Sequence, residues 1–233
     1  MLKIKNMNCG YGRIEIIRDL NMEIGNESVG LFGPNGAGKT TLINAVMGII
    51  KPTSGSISFQ DRDITGIETH NAAKMGISLV PQERELFPFL SVQDNLELGC
   101  LYIPGKSEGM SERLDFVFKL FPILKERLKQ LAGTMSGGQQ RQLAIARALM
   151  ARPKLLILDE PSLGLQPSIV SELYEILAEM KKEVSILVTE QNVRESLHAV
   201  DRGFVLENGS IAISGSAEEL EKNPHVVKVY LGL

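Results

Sequence analysis

Apolar and polar positions follow two periods along the chain, and the first to appear is the alternation of a β-strand. Positions 2–9 and 20–24 alternate between apolar and polar residues, as expected for strands with one exposed face. Compact apolar runs at 77–80, 155–158 and 184–188 are typical of strands that are covered on both faces of a parallel sheet. The pattern predicts an antiparallel edge near the start of the chain and a buried parallel sheet further on.

Helical spacing dominates the middle of the chain. An apolar stripe from Leu114 to Phe121 stops at Pro122, where a helix cannot continue without losing a hydrogen bond, and we assign this stripe to core packing. No segment between about 90 and 150 has the pattern of a strand. We therefore expect one domain that spans all 233 residues, with an α/β core at 1–89 and 151–233 and an inserted helical subdomain at about 90–150.

Short local signals mark turns and helix ends. Ser216 and Glu219 have the spacing of a capping box, which predicts the start of a short helix. The dipeptide Asn208-Gly209 between two apolar runs predicts a hairpin. The stretch at 103–110 contains proline and glycine and predicts a loop.

Composition narrows the class of protein. A charged fraction of 23% and a mean hydropathy of +0.02 are typical of a soluble globular chain. A net charge of −3 argues against general nucleic-acid binding, which usually shows a basic excess. The two cysteines lack metal-ligand spacing and are expected to be reduced thiols in a cytosolic protein. The start lacks the apolar core of a signal peptide, and no run reaches the ~18 apolar residues that cross a bilayer, so any membrane span must come from another chain.

The glycine-rich segment Gly33–Thr41 carries the clearest chemical signal. It follows the apolar run Val29–Phe32 and precedes a helical pattern with an apolar face from Leu42 to Ile49, which is the context of a phosphate-binding P-loop. Glycines expose backbone N–H groups, and the start of a helix adds positive partial charge. Lys39 can reach the β- and γ-phosphates, and the Thr40 hydroxyl can bind Mg²⁺. A glycine-rich turn that only caps a helix does not account for the spacing together with both flanking elements.

A pair of carboxylates follows another predicted buried strand. The apolar run Leu155–Leu158 is followed directly by Asp159 and Glu160. Beside a P-loop, this Walker-B arrangement supplies one carboxylate for the Mg²⁺ shell and one that polarises water. We therefore assign Asp159 to the metal and Glu160 to the activation of water.

Two further polar residues each allow two interpretations. Tyr11 lies between Gly10 and Gly12, where its ring could stack on a nucleotide base or belong to an ordinary turn. Gln82 follows the strand at 77–80 and lies at the edge of the sheet where α/β proteins bind ligands. It is either a candidate for binding Mg²⁺ or the attacking water, or a solvated loop residue.

A second candidate anion site begins at Ser136. Ser136 and Gln139 have capping-box spacing, so they begin a helix that is predicted to run through Met150. An ordinary helix cap does not need the adjacent Gly137 and Gly138, which leave backbone N–H groups uncovered at the positive end of the helix. Because this helix belongs to the predicted helical subdomain, we do not expect it to serve the nucleotide of the same chain's P-loop.

The order and separation of these motifs resemble those of ABC-type ATPases over the whole chain, and Ser136–Gln139 upstream of Asp159 and Glu160 is the most specific part. The resemblance implies an α/β P-loop NTPase (RecA-like) core with an antiparallel β-subdomain and an inserted helical subdomain, and ATP and Mg²⁺ as ligands. It also implies that Tyr11 stacks on adenine and that Gln82 is the Q-loop glutamine. Ser136–Gln139 would close on the ATP of a second subunit, with two ATP at the interface of a homodimer-like sandwich.

Two positions depart from the general ABC pattern. Gln166 stands where the D-loop usually carries aspartate, and Gln191 stands where the switch region usually carries histidine. Glutamine can donate a hydrogen bond to the γ-phosphate but cannot carry a proton or a positive charge, so we predict slow hydrolysis that depends on Glu160. The predicted site combines the catalytic residues Glu160, Gln191 and Lys39, the nucleotide-binding residues Tyr11, Gly33, Pro34, Asn35, Gly36, Ala37, Gly38, Lys39, Thr40, Thr41, Gln82, Ser136, Gly137, Gly138 and Gln139, and the metal-binding residues Thr40, Gln82 and Asp159.

Several short segments resemble one subgroup of the ABC ATPases more closely than the family as a whole. These segments are Thr134–Gly138, Pro161–Leu165, Glu190–Asn192, Asp201–Gly203, Leu206–Gly209 and Tyr230–Gly232. They are similar to the LivF-like ATPase subunits of branched-chain amino-acid importers, in which non-histidine switch residues also occur. This resemblance implies a second ABC ATPase subunit (identical or paralogous), two transmembrane permease subunits and, indirectly, a substrate-binding protein, with no nucleic acid. It places the chain peripherally on the cytoplasmic face of the cell membrane.

The apolar stretch Leu86–Leu90 has two interpretations, either part of a groove on which a membrane subunit docks or part of the core of the helical subdomain. The leading hypothesis is an importer's motor, in which ATP joins two subunits and hydrolysis releases them. One alternative is a soluble ABC ATPase of DNA repair or translation, although such relatives usually carry coiled-coil insertions or two ATPase modules. A second alternative, motivated by Gln166 and Gln191, is a nucleotide-locked subunit with negligible hydrolysis. A third is the ATPase subunit of an importer of another small polar substrate.

Overall fold

The structure of the chain, a computed structural model, describes residues 1–83, 85–101 and 109–231. The loop predicted at 103–110 lies almost entirely outside the described residues, as does Gly232. The strands in the described part are β1 Leu2–Tyr11, β2 Ile14–Ile24, β3 Ser28–Phe32, β4 Ser54–Phe59, β5 Arg62–Asp63, β6 Ile77–Val80, β7 Leu155–Asp159, β8 Ser185–Glu190, β9 Arg202–Glu207 and β10 Ser210–Ser216.

The alternating strands at the start of the chain belong to a four-stranded antiparallel sheet with the order β2-β1-β4-β5. Leu2, Ile4 and Met7 of β1 are buried in an apolar core that also contains Leu42, which follows the P-loop. Leu2 and Ile4 point inward because alternate residues of a strand point to opposite faces. An irregularity between Ile4 and Met7, where Asn6 has a φ of +48°, shifts this alternation so that Met7 is buried as well. The predicted antiparallel β-subdomain is confirmed.

A six-stranded sheet with the order β10-β9-β3-β8-β7-β6 contains the buried apolar runs. Its strands from β9 to β6 are parallel, and β10 returns antiparallel beside β9 through the predicted hairpin. In β7, Leu156 and Leu158 pack in one apolar core, whereas Leu155 and Ile157 pack in the other. Both faces are therefore covered, as the continuous apolar runs predicted. The α/β P-loop NTPase fold is confirmed.

Helices connect the strands, and in the described ranges each is too short or too polar to cross a bilayer. Those in the described part are α1 Lys39–Val46, α2 Thr69–Lys74, α3 Val92–Leu98, α4 Met110–Leu120, α5 Pro122–Glu126, α6 Gly137–Leu149, α7 Pro167–Met180, α8 Val193–Ser196, α9 Ala217–Lys222 and α10 Pro224–Val226. Short 3₁₀ helices lie at Ala132–Thr134 and Leu197–Ala199, and a π-helical turn lies at Val227–Leu231.

The helical middle of the chain has the elements that the sequence predicts. The described residues between 90 and 150 form α3 to α6 and contain no strand. α4 ends before Pro122, which then begins α5, because the first residue of a helix needs no N–H donor. Val117 and Phe121 are buried, so the apolar stripe packs in the core as predicted.

The apolar face of α1 is shorter than predicted. Leu42 and Val46 are buried, but the helix ends at Val46, and Gly48 turns the chain with a φ of +71°. Ile49 therefore leaves the helical register and is 54% exposed, so its assignment to the packed face was wrong. A Cβ atom at Gly48 would lie 1.7 Å from the carbonyl oxygen of Ile67, which is why this turn requires glycine.

Candidate nucleotide-binding site

The glycine-rich segment Gly33–Thr41 lies at the carboxyl edge of the six-stranded sheet, where residues 33–38 connect β3 to α1 and residues 39–41 begin that helix. A Cβ atom at Gly33 would lie 2.3 Å from the carbonyl oxygen of Leu206, so a larger residue would collide with β9. Gly36 has a φ of +81° and open space where a Cβ would point, and Gly38 begins α1 with a φ of +110°. The glycines therefore let the chain turn tightly and leave its outer surface accessible to a ligand.

Lys39 lies beneath this loop, and only 4% of it is exposed. Its Nζ donates to the carbonyl oxygens of Gly33 at 2.7 Å and Pro34 at 3.3 Å. The same Nζ lies 3.0 Å from Oε1 of Glu160, which is also buried. The structure therefore brings together the predicted lysine and the predicted water-activating carboxylate, although Lys39 and Glu160 are far apart in the sequence.

Asp159 is held by two hydroxyl groups. Thr40 Oγ1 donates to Asp159 Oδ2 at 3.0 Å, and Thr189 Oγ1 donates to Asp159 Oδ1 at 2.6 Å. Thr189 also fixes the next residue, because the Glu160 amide donates to the Thr189 carbonyl and to its Oγ1, both at 3.1 Å. Sequence reasoning assigned Thr189 no role. The only feature of the sequence that could have indicated one is its place as a polar residue at the end of a buried strand.

A cleft of about 550 Å³ is lined by the segment after β7 and by the end of β8 with the residues that follow it. Gln191 is exposed and lines this cleft together with Glu160, so the structure places these two predicted catalytic residues on one surface. Val229 and Tyr230 also line this cleft, and sequence reasoning did not connect them with the site. The remaining lining residues are Ser162, Leu163, Gly164, Glu190 and Asn192.

Glu190 and Tyr174 form a buried pair beside this cleft. The Tyr174 hydroxyl donates to Glu190 Oε1 at 2.6 Å, and the Ser162 amide donates to the same oxygen at 3.0 Å. Burial raises the pKa of the Glu190 carboxyl despite these hydrogen bonds. Burial, followed by the charge of Glu190, raises the pKa of Tyr174 well above its usual range. From the sequence, Glu190 is expected at the ligand edge of the sheet and is part of the finer resemblance, but no role was assigned to its side chain.

Tyr11 and Gln82 are both exposed, and their roles remain predictions. The Tyr11 hydroxyl accepts a hydrogen bond from Asn44 Nδ2 at 3.1 Å, which fastens it to α1, and 48% of the residue is exposed. The backbone at Gln82 is fixed by the buried Arg141 of α6, whose Nη1 and Nη2 donate to the carbonyl oxygens of Pro81 at 3.0 Å and Gln82 at 2.7 Å. Arg141 thus joins the segment after β6 to the helix that begins at the second candidate anion site.

That second candidate, Ser136–Gln139, forms the predicted capping box at the start of α6. The Gln139 amide donates to Ser136 Oγ at 3.4 Å, and the Ser136 amide donates to Gln139 Oε1 at 3.1 Å. A Cβ atom at Gly138 would lie 2.7 Å from Ile169 Cγ2, so close packing against α7 is a second reason for glycine there. No hydrogen bond among the described residues joins this element to the P-loop of the same chain.

The stretch Leu86–Leu90 lies on the surface, so the core interpretation is wrong for most of it. Phe87 is 51% exposed and Phe89 is 87% exposed, whereas Leu86 packs partly against the core. Asn95 fixes the backbone of Phe87, with its Oδ1 accepting from the Phe87 amide and its Nδ2 donating to the Phe87 carbonyl, both at 3.0 Å. An ordered segment therefore presents apolar rings to solvent beside the Gln82 segment.

Comparisons with known proteins extend over the whole chain. The family description "ABC transporter" matches residues 17–163. The high-affinity branched-chain amino acid transport ATP-binding protein BraG of Pseudomonas aeruginosa is 41% identical over 100% of both chains. The lipopolysaccharide export system ATP-binding protein LptB of Escherichia coli K12 is 36% identical over 99% of this chain and 97% of its own. The crystal structure of the ADP conformation of an ABC transporter's ATP-binding cassette covers 100% of this chain and 99% of its own, with a TM-score of 0.85 and 28% identity. The chain therefore belongs to the ABC transporter family, as a nucleotide-binding ATPase subunit.

Proposed function

We propose that this ATPase powers an importer of branched-chain amino acids and works peripherally at the cytoplasmic face of the cell membrane. The observation that carries the proposal is the 41% identity to BraG over the full length of both chains. A second ATPase subunit, identical or paralogous, two permease subunits and a substrate-binding protein complete the proposed transporter. Hydrolysis would separate the two ATPase subunits and so move the permeases.

The residues around the P-loop fit ATP with Mg²⁺. The backbone of Gly33–Thr41 would hold the phosphates, with Lys39 supplying positive charge beneath the loop and Tyr11 stacking on the base. Thr40 Oγ1 and Asp159 Oδ2 lie 3.0 Å apart, and both are oxygen donors of the kind that Mg²⁺ prefers. With Gln82 as a further ligand, bound Mg²⁺ would neutralise part of the phosphate charge.

Glu160 would act as the general base. Its carboxylate would accept a proton from water as the water oxygen attacks the γ-phosphorus and the bond to the leaving ADP oxygen breaks. Gln191, on the same cleft, would orient the γ-phosphate by donating a hydrogen bond. Ser136–Gln139 of a second subunit would close the site, since no hydrogen bond in the described part of the chain joins this element to its own P-loop.

Replacing Gln191 with histidine should be tolerated. The position is exposed and lines an open cleft, so the imidazole has room and can also donate a hydrogen bond. We expect the rate of phosphate release to stay within about threefold of the original protein, or to rise, since histidine can also carry a positive charge. Gln191→Leu, which has no donor, is the matched variant and should be slower. Complete loss of activity in Gln191→His would contradict the hydrogen-bond role.

The exposed rings of Phe87 and Phe89 would form part of the surface on which a permease docks. Apolar side chains held in an ordered segment are suited to bury against a partner. Leu86 lies four positions after Gln82 in the sequence, and Arg141 holds the backbone at Gln82, so a displacement of Phe87 by a permease would be passed to Gln82 over this short distance along the chain. The proposed coupling therefore runs from the docking surface to the catalytic edge of the sheet.

Phe87→Asp should uncouple transport from ATP hydrolysis. Phe87 is 51% exposed, and the Arg147 guanidinium lies over its ring at 5.7 Å. Loss of that contact should lower the free energy of unfolding by about 1 kcal/mol, which leaves the protein folded. In proteoliposomes with the permeases, we expect uptake to fall at least about tenfold while the hydrolysis rate of the isolated subunit is retained. Leu101→Asp, at another exposed apolar residue, is the control. If Phe87→Asp only unfolds the protein, the docking role is wrong.

Export of a lipid-like substrate is the second candidate function, because LptB is 36% identical over nearly the whole chain. The experiment that separates the two is purification of the ATPase with its permeases, followed by uptake of labelled leucine, isoleucine and valine into proteoliposomes. Uptake that requires ATP and the substrate-binding protein supports the importer. Association with an export complex instead, with no uptake of any of the three amino acids, would overturn it. Negligible phosphate release with and without permeases would indicate the nucleotide-locked alternative.

A further inference from the structure

Glu190 forms hydrogen bonds with three segments around the site, although the proposed hydrolysis reaction gives it no direct role. It is 3% exposed at the end of β8, and its Oε1 accepts from Ser162, two residues after Glu160, and from Tyr174 of α7. Its backbone carbonyl accepts a hydrogen bond from the Gly33 amide at 3.2 Å. One buried residue, which directly precedes Gln191 in the sequence, therefore connects the P-loop, the segment after β7 and α7.

We propose that Glu190 is a positioning residue for ATP hydrolysis, which holds Ser162 so that Glu160 and Gln191 stay on the same cleft. The inference rests on the proposed role of Glu160 as general base. Glu190 itself contacts neither the phosphates nor the water in this scheme. It acts through the segment Glu160–Leu165.

The geometry of that segment explains why an anchor is needed. Glu160 has a φ of +45°, a backbone conformation that residues other than glycine seldom adopt. The conformation is fixed on one side by Thr189, which accepts from the Glu160 amide at 3.1 Å. On the other side, Leu163 N bonds to Glu160 O and Leu165 N bonds to Ser162 O, both at 3.1 Å, which makes a compact turn. Glu190 attaches this turn to the sheet at Ser162.

A role in stability alone does not explain a carboxylate at position 190. Removing a carboxylate from water is unfavourable, and the two groups that donate to Glu190 Oε1, the Tyr174 hydroxyl and the Ser162 amide, are neutral. An apolar residue of similar size would avoid that cost. What the carboxylate provides is an acceptor for two donors at once, which orders the Ser162 amide relative to β8.

The test compares Glu190→Met, which removes the acceptor and keeps the approximate shape, with Glu190→Gln, which keeps an acceptor oxygen. Loss of a hydrogen bond to a charged group predicts that Glu190→Met lowers kcat about tenfold or more, while the Kd for ATP changes less than about twofold. Glu190→Gln should recover kcat to within about threefold of the original protein. Tyr174→Phe leaves the bond to Ser162 and should keep kcat within about twofold.

A reporter in the turn provides a readout that does not depend on hydrolysis. The sequence contains no tryptophan, and Leu163 is 49% exposed within the turn, so Leu163→Trp introduces a single indole there. When Glu190→Met is added, acrylamide quenching of that indole should increase and its anisotropy should fall. Adding Glu190→Gln should leave both near the values of Leu163→Trp alone.

The outcomes separate the positioning role from its alternatives. Unchanged kcat in Glu190→Met, a parallel loss of kcat and ATP affinity, or an equal loss of kcat in Tyr174→Phe would each overturn the proposal. A Glu190→Gln protein as slow as Glu190→Met would do the same. If Glu160→Gln instead keeps full turnover, the proposed role of Glu160 fails. A changed indole signal in that case would still show that Glu190 orders the turn.

Discussion

Glu160→Gln is expected to reduce ATP hydrolysis by a factor of about 10² to 10⁴, the usual contribution of a general base. The amide has nearly the same volume as the carboxylate but cannot accept the proton of the attacking water. Its oxygen can still accept a hydrogen bond from Lys39, which lies 3.0 Å from Oε1 in the original protein. Nucleotide binding should therefore remain, and the ATP-bound dimer should accumulate because hydrolysis no longer separates its subunits.

The rate of phosphate release measures the loss of hydrolysis. Light scattering coupled to size-exclusion chromatography, with Mg²⁺ and ATP present, measures the accumulation of the dimer. Glu175→Gln is a matched control, since Glu175 is exposed on α7 and should behave like the original protein. Turnover that stays unchanged in Glu160→Gln would exclude Glu160 as the base. A variant that loses both turnover and nucleotide binding would point to a structural role of the Lys39–Glu160 contact instead.

The parts of the site that the sequence predicted are those that follow from local chemistry. The P-loop could be found because glycine, lysine and threonine stand at fixed positions between a strand and a helix. Asp159 and Glu160 could be found because a continuous apolar run identifies a buried strand and the carboxylates end it. The same reasoning located β6 and the capping boxes at Ser136 and Ser216, which the structure confirms.

The parts that escaped prediction depend on contacts between distant segments. Thr189 bonds to Asp159 across 30 positions, and Arg141 bonds to Pro81 across 60. A threonine at a strand end and an arginine in a helix are common, so nothing local distinguishes them. Glu190 is a stronger example, because a carboxylate in a sequence is usually exposed and only the fold shows it buried.

Lys39→Met is expected to have two separable effects, loss of nucleotide binding and loss of stability. Methionine keeps the apolar stem of the side chain but removes the charge that would face the phosphates. It also leaves the buried Glu160 carboxylate, which is 11% exposed in its side chain, without its cation. Breaking a buried ion pair by removing one partner costs about 3 kcal/mol or more, so the free energy of unfolding should fall by that amount. Urea denaturation measures it.

The double variant Lys39→Met/Glu160→Gln distinguishes these effects. Because the neutral amide is far less costly to bury than an unpaired carboxylate, the double variant should regain most of the lost free energy of unfolding. Binding of ATP, followed with a fluorescent analogue, should remain weak, since neither change restores a positive charge beneath the P-loop. If stability does not recover, the unpaired Glu160 is not the source of the loss. If ATP binding recovers with stability, Lys39 serves the fold of the loop, and its proposed role in holding phosphate is wrong.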